Sequence, residues 1–166
     1  MAGAGVLVVG ASGILAPAAT QLASAEGSHG AVTGIGRVRP MPACVEAITV
    51  DAQDAGALTR ALGERRWARA IVYAPAVTDA SLPVLRAAVD GPVVLVLTSA
   101  AVAPLPDAPE APAPAPAPWT LQLGWASGAS GARWHTPEEI SAAALLVLRD
   151  GQGRTLGSVR PWAERP

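Results

Sequence analysis

Between residues 10 and 16 the chain reads Gly-Ala-Ser-Gly-Ile-Leu-Ala, a GxxGxxA spacing in which Gly10 and Gly13 bracket two small residues. Glycines so placed let the backbone turn sharply and let two linked phosphates approach without a side chain in the way. The first amides of a following helix then add partial positive charge. The spacing alone is weak, since a tight turn with no ligand would use the same residues. Its setting strengthens it, because an all-apolar run precedes it and a helical pattern follows. A dinucleotide held at this turn is the expectation.

The stretch Gly34-Ile35-Gly36-Arg37-Val38-Arg39 bears on which dinucleotide. NAD-binding versions of such a unit place a carboxylate near the end of strand two, to accept from ribose hydroxyls. No acid is in reach here. Arg37 and Arg39 could instead grip a 2′-phosphate, which suits a guanidinium, or they could be solvated loop arginines. NADP is therefore preferred over NAD.

Few groups are available for proton transfer, because the chain has no lysine. Tyr73 falls at the end of a strand and is a candidate donor, although a tyrosine there can equally be packing. Thr98 and Ser99 close another strand and could orient a carbonyl or bond a cofactor amide. His135 stands before a helix start and reads as a staple residue, with a catalytic role as the rival reading. His29 reads as structural, and Cys44 as a small buried apolar residue. Two histidines and one cysteine, so widely spaced, do not make a zinc site. Trp119, Trp125 and Trp134 cluster near the last third of the chain, as core filler or as the roof of a pocket.

The elements that would position these groups are legible. Runs at 6–9, 31–35, 47–50, 70–73 and 93–98 read as strands. Helical spacing starts near Ile14 and recurs at 55–62 and 81–89. Strands alternating with helices mean βαβ units and a mostly parallel sheet. Seven prolines between residues 103 and 118 exclude a helix there and favour a stiff linker or surface loop. Residues 120–125 read as a strand, 127–131 as a flexible turn and 155–159 as a last strand. Thr136-Pro137-Glu138-Glu139 is a helix start with a capping box, and the helix should stop at Gly151. The expected fold is a single α/β, Rossmann-like, doubly wound domain, with 119–160 as a strand–helix–strand segment.

Composition agrees with a folded domain: 51% of the residues are apolar and 15% are charged, against the polar balance of disorder. The net charge of −1 includes no basic stretch, which argues against nucleic acid as a partner. No apolar run reaches the roughly 20 residues of a membrane span. The opening residues lack the positive start of a secretory signal. A lone cysteine suits a reducing cytoplasm. The richness in alanine, arginine, glycine and proline points to a high-GC bacterial genome.

The segments VLVVGASGILAPAA, ITVDAQD and LQLGWASGASGARWHTPEEISAAAL together resemble the atypical short-chain dehydrogenase/reductases, and within them a small subgroup of bacterial Rossmann proteins. The last segment is similar to that subgroup's LG(F/W)…SRWLTxEEIS pattern. The resemblance implies that Gly10, Ser12, Gly13, Ile14 and Leu15 line the pyrophosphate. It implies further that Arg37 sits by the adenosine ribose, Asp51 meets the adenine amino group, Ala74 passes under the ribose and Ser99 lies near the nicotinamide. The chain also departs from the family. Fully catalytic members pair a serine with a Tyr-x-x-x-Lys helix, whereas here prolines fill that segment and His135 replaces an expected leucine.

The resulting expectation is a small NADPH-dependent oxidoreductase acting on a small metabolite. An acceptor already activated, such as an imine or a conjugated carbonyl, would need little acid catalysis. Ser99 and Tyr73 are the candidate catalytic residues. The rival is a non-redox protein on the same fold: a cyclase, isomerase, lyase or NADP-sensing regulator. A homodimer could cover surface left bare by the shortened region after the fifth strand.

Overall fold

In the computed structural model, which describes residues 3–25 and 30–166, the apolar run Val6–Val9 is strand β1 and no residue in it is more than 1% exposed. Burial on both faces is what an unbroken apolar run requires. After it come α1 (Ala16–Ser24), β2 (Val32–Gly36), β3 (Glu46–Thr49), α2 (Ala55–Leu62), β4 (Arg69–Tyr73), α3 (Leu82–Ala87) and β5 (Val93–Leu97). The second part holds β6 (Thr120–Leu123), β7 (Trp125–Gly128), β8 (Gly131–Trp134), α4 (Pro137–Asp150) and β9 (Arg154–Leu156). His29 lies outside the described residues.

Among the described residues, seven strands form one sheet in the order β3-β2-β1-β4-β5-β6-β9, and every pairing is parallel. Alternate residues of each central strand feed two cores. Val6, Val8, Val94 and Val96 pack with Leu15, Leu22, Ala144 and Val147 of the α1–α4 side. Leu7, Val9, Val72 and Val93 pack with Leu58, Leu62 and Leu85 of the α2–α3 side. Helices on both faces of an open parallel sheet make this a doubly wound, Rossmann-like single domain.

Local chemistry sets the helix starts. The Asp54 carboxylate accepts from the Ala57 amide at 2.8 Å and caps α2. At α4 the Thr136 hydroxyl accepts from the Glu139 amide while the Glu139 carboxylate accepts from the Thr136 amide. That is the expected capping box, and α4 stops at the left-handed Gly151.

Four expectations shift. α1 starts at Ala16 rather than near Ile14, because the amides of Gly13 and Leu15 both close on the Gly10 carbonyl. Residues 127–131 are not merely a flexible turn. β7 and β8 pair antiparallel from Trp125 opposite Trp134 to Gly128 opposite Gly131, a ribbon too short and glycine-rich to show alternation. The last strand spans Arg154–Leu156, since Gly157 adopts a left-handed backbone at φ 76° and ends it. Cys44 is exposed, not buried, because it lies in the loop before β3 rather than on a core face.

The proline segment crosses from β5 to β6 without helix or strand. It is pinned to the chain's last residues. The Arg160 guanidinium donates to the carbonyls of Val102 at 2.8 Å and Ala111 at 3.0 Å, and lies 3.6 Å from the Glu110 carboxylate.

Candidate functional site

The strand order reverses between β1 and β4, and in open α/β sheets ligands gather outside the carboxyl ends of strands at such a switch. The residues Gly10 to Leu15 lie there. Gly10 has φ 102°, which a side chain would strain, and this lets the chain double back at the end of β1. Its carbonyl accepts from Gly13 at 3.1 Å and from Leu15 at 3.2 Å. The Leu15 side chain is fully buried, so it anchors the turn in the core. Among the described residues no acceptor meets the amides of Ala11, Ser12 or Ile14. Beyond the adjoining residues, a Cβ added to Gly13 would find one heavy atom within 4 Å, the Gly10 oxygen at 3.9 Å, so this side of the turn is open.

On one side of the turn lies a groove of about 150 Å³ bounded by Gly10, Ser12, Gly36, Arg37, Asp51 and Pro75. A Cβ on Gly36 would stand 2.7 Å from both the Ser12 hydroxyl oxygen and the Met41 methyl, so a side chain there would push these two groups aside where β2 meets the turn. Arg37 and Asp51 face each other at 3.9 Å, both well exposed, and such a pair is weak enough to open. Asp51 also accepts from the Gln53 amide at 3.0 Å, while the Gln53 side chain donates to the Pro75 carbonyl at 3.1 Å and ties the walls together. Ala74 begins the short turn after β4, but Pro75 and Ala76 form the wall.

On the other side is a cavity of about 270 Å³ whose wall includes Ile14, Tyr73, Ser99, Ile140 and Arg165. One turn thus borders both spaces, with Gly10 and Ser12 on the groove and Ile14 on the cavity. Ser99 is 3% exposed and its hydroxyl accepts from the Arg165 Nε at 3.2 Å, leaving the hydroxyl hydrogen for another acceptor. Burial pushes the Tyr73 hydroxyl above its ordinary pKa, so it stays protonated at neutral pH. Thr98 also borders the cavity, and its carbonyl accepts from the Gln122 side chain at 2.8 Å.

His135 borders the same cavity with a side chain only 8% exposed. Its Nδ1 lies 3.1 Å from the Glu139 carboxylate, while its Nε2 is buried without a partner against Gly157. That carboxylate also takes two hydrogen bonds from Arg133, which with the Thr136 amide hold Glu139 far below the usual carboxylate range. Of the three tryptophans singled out, Trp125 is core, Trp119 packs against the core and Trp134 roofs the cavity. Arg39 is exposed and outside both spaces.

The sequence reading missed Arg165, Leu123, Gly124 and Ile140 as cavity residues. The last three sit in the strand and helix expected there, and only their depth in the sheet was unreadable. Arg165 carried no signal, because it meets Ser99 across 66 positions of chain.

No protein-family model matches the chain, and no curated protein matches it in sequence. Solved structures match its fold. A short-chain dehydrogenase/reductase from Veillonella parvula superposes with a TM-score of 0.56 at 15% identity, over 98% of each chain. The MalC reductase/Diels-Alderase from Malbranchea aurantiaca gives 0.55 at 14% identity, over 95% of each. A candidate exported protein from Burkholderia pseudomallei gives 0.54 at 16% identity, over 89% of this chain and 94% of that one. The chain therefore shares the fold of these proteins. Among the described residues no helix is long and apolar enough to cross a membrane.

Proposed function

We propose that the protein is a small NADPH-dependent oxidoreductase, with the dinucleotide laid along the Gly10–Leu15 turn and the acceptor in the cavity beside Ser99. One observation carries the reading. A glycine turn with three unpartnered amides lies between a groove holding an arginine and a cavity holding hydroxyl donors. An amide-lined turn before a helix suits a pyrophosphate, and the open side of Gly13 leaves it room. Arg37 would leave Asp51 for a 2′-phosphate, a more highly charged partner.

The bound cofactor would supply a hydride. The chain itself would orient the acceptor through the Ser99 hydroxyl and offer a proton from Tyr73, with Ile14, Leu123 and Ile140 keeping the surroundings apolar. Without lysine there is no ammonium to lower the Tyr73 pKa, and burial raises it instead. An acceptor that is already electrophilic, an imine or a conjugated carbonyl, fits so weak an acid. A cytoplasmic NADPH pool would serve this chemistry.

The same weakness favours a second reading, in which the cavity shapes a substrate for a non-redox step such as a cyclisation. The name of the MalC neighbour joins reductase to Diels-Alderase, so one protein of this fold is described with both activities. Calorimetry with NADPH and NADH, followed by NADPH oxidation with imine, enone and ketone panels, separates the readings. Micromolar NADPH binding with turnover of an activated acceptor is expected. Binding without any turnover would favour the second reading, and no binding of either nucleotide would overturn the first.

A further inference from the structure

We infer that the cavity beside Ser99 selects a small, mostly apolar substrate carrying a carboxylate, and that Arg165 is the group that meets its charge. The inference rests on reading this cavity as the acceptor's site and adds the class of acceptor. Apart from His135, Arg165 is the one ionisable basic side chain on a wall otherwise made of Ile14, Leu123, Ile140, Trp134 and their neighbours. Among the described residues it forms no ion pair. Glu139 and Glu110 pair with Arg133 and Arg160, and among the described residues the adjacent Glu164 forms no ion pair with Arg165.

The guanidinium is nonetheless held in place. Its Nε donates to the Ser99 hydroxyl at 3.2 Å, and its Cζ lies 4.9 Å from the Trp134 ring centre and 5.3 Å from that of Trp162. Two aromatic faces fix a cation's position without neutralising it. With Nε committed to Ser99, the two terminal nitrogens keep their hydrogens free, and no acceptor meets them among the described residues. A planar fork of two N–H donors matches the two oxygens of a carboxylate. The volume of about 270 Å³ limits the rest of the substrate to a short chain or one ring. Because Arg165 and a substrate carbonyl would share the Ser99 hydroxyl, the carboxylate and the reacting carbon must lie close together on the substrate.

The test uses the full chain and three matched probes of one shape: 3-phenylpropionate, 3-phenylpropionamide and 2-phenylethylphosphonate, titrated by calorimetry with NADPH titrated in parallel. The carboxylate is expected to bind at least about tenfold tighter than the amide. R165M should remove that preference, and R165K should retain part of it. Arg165 is exposed and outside the two cores, so these variants should keep the parent circular dichroism. Equal binding of carboxylate and amide, a preference that survives R165M, tighter binding of the phosphonate, or no binding of any probe would each overturn the inference. An Arg165-dependent carboxylate preference without NADPH binding would uphold it and overturn the redox reading. NADPH binding without the preference would do the reverse.

Discussion

The Gly13 amide donates to the Gly10 carbonyl oxygen at 3.1 Å, and beyond the adjoining residues that same oxygen is the nearest heavy atom, at 3.9 Å, to where a Gly13 side chain would begin. The turn is closed on its inner side and vacant on its outer side. Gly13→Val should therefore fold, with a melting temperature within roughly 3 °C of the parent, since surface changes cost little. NADPH affinity should nevertheless drop at least about tenfold, because the new methyls occupy the space proposed for phosphate. Calorimetry beside thermal melting checks both halves, and unchanged affinity would remove the basis of the nucleotide assignment.

Arg37 tests the choice of dinucleotide. Its pairing with Asp51 at 3.9 Å is solvent-exposed and contributes little to folding. Arg37→Ala should weaken NADPH about tenfold, or about 1.4 kcal/mol, while changing NADH affinity less than about twofold. Equal losses for both would show that the arginine does not read the phosphate.

Tyr73 and Ser99 should act on the chemical step rather than on nucleotide binding. Tyr73→Phe and Ser99→Ala are each expected to lower kcat by about a hundredfold, the lower end of the range for a lost proton donor. NADPH affinity should hold within about twofold for Tyr73→Phe. Because burial raises the Tyr73 pKa, its hydroxyl is a competent donor across neutral pH and fails only above the ordinary value of 10.0. A rate that tracks a tyrosine ionising near pH 7 would exclude this assignment.

Glu139 should make α4 acid-sensitive. Arg133, the Thr136 amide and His135 all stabilise its charged form, so the folded pKa lies below the ordinary 4.5. The unfolded chain takes up the proton first as pH falls, so this stabilisation is complete above about pH 5 and fades below 4.5. Denaturant melts at pH 7 and pH 3.5 should show Glu139→Gln less stable than the parent at pH 7 and closer to it at pH 3.5. A constant difference would mean that the carboxylate's charge is irrelevant. Thr136→Ala, which removes the other half of the capping box, should cost about 1 kcal/mol at either pH.

The sheet was legible in the sequence because its central strands are buried on both faces and so read as unbroken apolar runs, as Val6–Val9 and Val93–Leu97 do. The α4 start was legible because capping is local: Thr136 and Glu139 need only each other. The β7–β8 ribbon was not, since its pairing joins Trp125 to Trp134 through residues with no alternating pattern. Of the groove residues, Gly10, Ser12, Arg37 and Asp51 could be named from their places at strand ends, whereas Gln53, Pro75 and Ala76 could not. Arg165 did not, because its setting depends on Ser99, Trp134 and Trp162 being brought together from distant parts of the chain. Side-chain constellations of that kind form only once the backbone path is complete.

The alanine–proline crossover between β5 and β6 has a mechanical consequence. Seven of its residues lack an amide hydrogen, so the segment can lie alongside a sheet without being recruited into it as an extra strand. Where a crossover between parallel strands usually carries a helix, this chain uses a strap that competes with no ladder. Its fastening to Arg160 places that strap and the tryptophan-flanked guanidinium of residue 165 on one short stretch of backbone. Lengthening the strap would therefore be felt first where the cavity is closed.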